Sequence, residues 1–286
     1  MAYNNFQPMV WAAGIERALE RLCVFAEDCN RKYEGTVNEK GESVKILGVG
    51  KPTIRTLDRQ NASGNIEGAE EIEDTSVIMP INQIRYFNYM VGDIDKAQGV
   101  NGIMDALSEE TSEGLANAVD TYIADLAKDS NVIKATSTVQ TVVANETTTS
   151  GQIYVLDLLD TAIQKLYEND VSPSTEIVCT ISPRFWKLFK KAYIKLDSDN
   201  SKMIKNGKVG MYGNVTIKMS NNVAKDSSGN DLIMMRTKRA IAYVQPKTHT
   251  EPYRPENKFA DAVKGYILFD AKVVRPKEMV VINAGY

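Results

Sequence analysis

Few residues in this chain have the types and spacing that chemistry needs. Leu47–Thr53 reads LGVGKPT, and its Gly-Lys step suggests a phosphate loop. Such a loop needs a glycine five residues before the pair and a Ser or Thr after it, so that backbone N–H groups cradle phosphate and the hydroxyl meets the metal. Lys45 and Pro52 occupy those places instead. The single histidine, His249, lies in the polar stretch QPKTHTEP and has no second histidine for a shared metal. Asp93 and Asp95, in GDID, could face a divalent cation, but Ala97 and Gln98 follow and the ligand ladder of a calcium loop stops. These carboxylates suit the positive start of the helix that follows. Cys23, Cys29 and Cys179 are odd in number and contain no CxxC, which fits reduced, partly buried thiols. The expectation is therefore a protein with no catalytic residues, no cofactor and no metal.

Composition narrows the class. The 286 residues are 43% hydrophobic and 25% charged, ordinary for a globular protein of one large domain or two smaller ones. With 34 bases against 37 acids the net charge is −3, which argues against a dedicated nucleic-acid binder. Localised contact with nucleic acid stays open. The amino-terminal stretch has no basic start followed by a long apolar core, and no run is long enough to span a bilayer, so no membrane is expected.

The elements that must position any function are clearer. Trp11–Lys32 has helical periodicity, with Trp11, Ile15, Ala18, Leu22 and Phe25 on one face. Gly41–Val49 and Thr75–Tyr89 alternate as strands, and Pro80 marks an edge or a bulge. Between them Asp58–Asp74 carries Asp58, Glu67, Glu70, Glu71, Glu73 and Asp74 against the single base Arg59. A loop longer than about 12–15 residues is uncommon in a compact domain, and a lone two-stranded ribbon is marginal in water. A ribbon that leans on another molecule, or a solvated surface loop, would each account for it. Asn101–Lys128 reads as a long amphipathic helix of roughly 40 Å. Ser130–Gly151 reads as a linker. An α+β module follows: a helix over Gln152–Asn169, a buried strand at Glu176–Ile181, and a helix capped by Ser182 with Pro183 in its first turn. Strands at Asn214–Met219, Leu232–Met235 and Ile241–Val244 complete it, and Ala262–Phe269 and Met279–Ile282 close the chain.

Three stretches, YEGTVNEKGESVKI, YFNYMVGDIDKAQG and PYRPENKFADAVKGYILFDAKVVRP, in this order and spacing, resemble the major capsid proteins of tailed bacteriophages, the Hong Kong 97-type fold. The resemblance spans nearly the whole chain. It implies an α+β architecture: an N-terminal arm and helix over 1–32, an extended β-hairpin loop over 33–90, a peripheral domain with a spine helix over 91–150, an axial domain over 151–245, and a return to the peripheral domain over 246–286. It also implies a structural subunit of the virion that assembles in the host bacterial cytoplasm into hexamers and pentamers of an icosahedral shell around double-stranded DNA. No long charged segment precedes Trp11, so a separate scaffolding protein is expected beside a portal. Candidate contacts between copies are Val44, Ile46, Val77 and Met79 on the ribbon, Glu70 and Glu71 near its tip, and Arg254 and Arg275, each set before a proline. An encapsulin-like compartment enclosing a protein cargo shares the fold and stands as the alternative.

Overall fold

Alternating side chains build the first element of the computed structural model, which describes residues 23–33, 43–49, 54, 74–92, 103–195 and 210–286. Strand β1 (Ser43–Val49) pairs antiparallel with β2 (Asp74–Pro80), placing Val44 opposite Met79 and Ile46 opposite Val77. Pro80 is the last residue of β2, where its missing N–H costs no ladder bond. The chain turns at Ile81–Asn82 into β3 (Gln83–Gly92).

Strand β3 forms one edge of an antiparallel sheet with β13 (Ala260–Val273) in the middle and β12 (Ile241–Tyr253) on the far side. Gly265 in β13 sits against the ring of Phe87; a Cβ there would lie 2.5 Å from that ring and 2.7 Å from the His249 carbonyl. Only glycine allows the aromatic ring to cross the strand. His249 lies within β12, not in a connection.

A second, nine-stranded mixed sheet runs β6 (Gln152–Tyr154), β5 (Gln140–Val143), β14 (Met279–Gly285), β11 (Asp231–Thr237), β7 (Ile177–Ile181), β9 (Val215–Met219), β8 (Met211–Tyr212). Two short strands, β4 (Ile133–Lys134) and β10 (Ala224–Lys225), pair with β14 and β11. Every residue of β7 and β11 is buried, as central strands covered on both faces require.

Helix α1 (Ile103–Asp125) continues as a 3-10 turn through Lys128. Helix α2 (Val155–Glu168) buries Val155, Leu158, Leu159, Ala162 and Leu166, a stripe at helical spacing. Helix α3 (Pro183–Lys195) begins where the Ser182 hydroxyl accepts the Phe185 N–H at 3.2 Å, the expected N-cap. One continuous apolar cluster joins α1, α2, α3, the nine-stranded sheet and the near ends of β12 and β13.

Four expectations need correction. The helical pattern of Trp11–Lys32 does not hold over its described part: Cys23–Lys32 contains a 3-10 turn at Ala26–Asp28, and Asn30 bridges to Ala242. The segment Ser130–Gly151 is not a plain linker, because it supplies β4 and β5. The closing stretch 246–286, read as one return to a single region, divides between the two sheets: β14 lies between β11 and β5 in the larger one, while β12 and β13 hold the smaller. Residues 151–245 therefore have no core of their own, since β14 and α1 complete it.

Candidate assembly surfaces

The ribbon's root shows how the sequence divides its two faces. Val44, Ile46 and Met79 are 5%, 2% and 1% exposed and pack on Ile81, Ala242 and Val244, with Tyr33, Val77, Leu268 and Val274 around them. This corrects the expectation that these side chains wait for a neighbouring copy. Alternation gives every ribbon a covered face, and here strands β12 and β13 of the same chain cover it. The outward face carries Lys45, Ile78 and Pro80, with Ile78 57% exposed.

A buried carboxylate fixes the root. Asp270 accepts the Tyr122 hydroxyl of α1 at 2.8 Å and the Asn82 N–H at 3.2 Å, and also takes the N–H of Ala271. One side chain thus ties β13, the long helix and the base of the ribbon together. Burial, reinforced by the Asp270 charge, pushes the Tyr122 hydroxyl well above the usual tyrosine range, so it remains a donor. On the exposed side the Lys272 ammonium donates to the Ile78 carbonyl at 2.8 Å.

The amino-terminal segment is held by opposite charges. Asp120 of α1 accepts the N–H groups of Val24, Phe25 and Ala26 at 2.7, 3.1 and 3.3 Å. The buried Arg236 guanidinium donates to the carbonyls of Phe25 and Asp28. These tertiary partners take groups that a helix would have paired internally, which explains why helical periodicity fails here. Lys218 closes the cluster, 2.7 Å from Glu27 and 2.8 Å from Asp28. Burial raises the Asp120 carboxyl above its ordinary value against the pull of the three N–H groups.

Two kinds of exposed surface remain. On edge strand β3, Ile84, Tyr86 and Met90 are 55%, 80% and 50% exposed, and register places Tyr86 beside Tyr266, which in turn faces His249 on β12. On the helices, charge is segregated. Exposed Glu109, Glu110 and Glu113 lie on α1, and exposed Arg184, Lys187, Lys190 and Lys191 on α3. The sequence signal for the second stripe, bases at three- and four-residue spacing, was present but not singled out.

Of the other expected contacts, Arg275 bonds Glu278 of its own chain at 2.8 Å, and Arg254 is exposed beyond the end of β12. Glu70, Glu71, Asp93 and Asp95 lie outside the described residues, as does most of the Leu47–Thr53 stretch. Among the described residues no cluster of His, Cys, Asp or Glu could hold a metal ion, and no helix is long and apolar enough to cross a membrane.

No family model matches the chain, and no curated protein matches it by sequence. Solved structures do. A chain of Mycobacterium phage Che8 superposes with a TM-score of 0.73 at 27% identity, covering 91% of each chain. The capsid structure of cyanophage P-SCSP1u follows at 0.63 and 15% identity, over 86% of this chain and 84% of that one. This is the Hong Kong 97-type capsid fold. The same fold relates the chain to the virus-like particle from Pyrococcus furiosus, with a TM-score of 0.59 at 11% identity over 96% and 98% of the two chains. The named assemblies among these structures are shells, not enzymes. The Hong Kong 97-type fold that the three sequence stretches resemble is the fold of the molecule.

Proposed function

We propose that the chain is the repeating shell subunit of an icosahedral phage capsid, closed from hexamers and pentamers around double-stranded DNA. The observation that carries this is the whole-chain match to phage structures, more than four-fifths of both partners in each case. A fold shared over most of both chains with phage capsid structures supports a role in repetition.

In this assignment the three-stranded sheet and α1 form the peripheral domain, the larger sheet with α2 and α3 forms the axial domain, and the ribbon rooted at β1 and β2 is the extended loop. Interfaces burying about 1,600 Å² are specific without being tight one at a time, and a closed shell multiplies them. The net charge of −3 suits a wall that confines a genome without reading its sequence. A separate scaffolding protein and a portal complete the expected partners, with assembly in the host cytoplasm and the mature subunit in the virion.

The match to the Pyrococcus furiosus particle favours a second assignment, a compartment of the encapsulin type around a protein cargo. The contents of purified particles decide between them. Nuclease-resistant DNA released on disruption supports the capsid; a stoichiometric protein cargo without DNA supports the compartment.

A further inference from the structure

The two charged helices carry complementary stripes that no described residue neutralises. Helix α3, PRFWKLFKKAYIK, holds Arg184, Lys187, Lys190, Lys191 and Lys195 and no acid, whereas α1 holds acids and no base. Glu109, Glu110, Glu113, Lys187, Lys190 and Lys191 are all exposed, and none forms an ion pair with a described residue. Glu109 and Glu113 stand one turn apart, as do Lys187 and Lys191, so the stripes share the pitch of the helix. Like charges at that spacing repel within each helix.

We infer that the basic face of α3 docks against the acidic face of α1 on a second copy of this chain. This rests on the shell assignment and gives it a register. A contact of α3 with its own copy would set lysine on lysine, and α1 on its own copy would set glutamate on glutamate, so self-pairing of either helix is disfavoured by charge. In the ring that the shell assignment requires, this contact is head-to-tail, each copy giving α3 to one neighbour and α1 to the other, and such contacts generate rings when the rotation closes. Exposed charge pairs supply little affinity but steer encounter and reject wrong registers. A polyanion such as DNA would also suit α3, but it would leave the matching acidic stripe without a partner.

The test is a charge swap followed by light scattering during assembly at low salt. Lys187→Glu, Lys190→Glu and Lys191→Glu together, or Glu109→Lys, Glu110→Lys and Glu113→Lys together, should each slow assembly about tenfold or more. All six changes in one chain should restore the rate, and sodium chloride at about 0.5 M should slow the wild type. Wild-type rates for both triple variants, or no recovery in the combined variant, would overturn the inference while leaving the shell intact. So would a lysine reversal that assembles normally but loses nuclease-resistant DNA, which would place nucleic acid on α3. If circular dichroism shows a triple variant unfolded, the salt series of the wild type decides, and a salt-independent rate overturns the docking. A wild type that forms no particles under any condition removes the shell assignment, and this contact with it.

Discussion

Asp120 and Arg236 show how single buried charges replace an element the sequence pattern promised. The carboxylate gathers three backbone N–H groups and the guanidinium two carbonyls, all from Val24 to Asp28. Removing one such partner strands buried backbone donors, each worth about 1–3 kcal/mol. Asp120→Ala should therefore lower subunit stability by about 2–3 kcal/mol, read as a fall in thermal melting temperature. Its pH dependence has a definite sign. Because burial raises the native carboxyl above 3.8, stability linked to its proton is fully present below that value and lost as pH rises through the native pKa. The gap between wild type and Asp120→Ala should narrow over that interval. None of this was legible beforehand, since periodicity reports which faces are apolar and not which distant groups compete for the backbone. The thiols were legible: Cys23, Cys29 and Cys179 are buried and stand outside any disulfide among the described residues. Burial pushes Cys179 up to about 12, so it carries almost no thiolate near neutrality. A thiol reagent at pH 8 should leave Cys179 unmodified in the folded subunit and label it after denaturation; rapid labelling of the native protein would show that the site opens.

At the scale of elements, the ribbon is the instructive case. Alternation in Gly41–Val49 and Thr75–Tyr89 located the ribbon, because a period of two is a local property, but the second run is two strands, β2 and β3, which part at Ile81–Asn82 into different sheets. It could not say which molecule covers the apolar face. The structure gives that role to Ala242 and Val244 of the same chain, some two hundred residues away. Ile46→Ala should thus weaken the isolated subunit by about 2–5 kcal/mol, a core cost. Ile78→Ser, on the outward face, should shift melting by no more than about 0.5 kcal/mol. Equal losses in both variants by chemical denaturation would contradict the division of faces. Strands β4 and β5 escaped the sequence for a related reason. They are two and four residues long, and their parallel pairing with β14 depends on residues at the far end of the chain. The capping of α3 by Ser182 was readable because its partner is only three residues away.

Across the whole molecule, the fold was recoverable from the order of its parts, while the boundaries between parts were not. Strand β14 crosses from the end of the chain into the middle of the larger sheet, and α1 packs into the same core, so no cut in sequence separates two independent units. Such long-range closure ties both sheets and α1 into one core, and leaves exposed faces on β3, α1 and α3. Electron microscopy of the purified protein, brought to high concentration with and without crowding agent, tests the central claim most directly. Closed icosahedral particles built of five- and six-membered rings are expected; a population that stays monomeric, or that forms only open tubes or stacked rings, would contradict it.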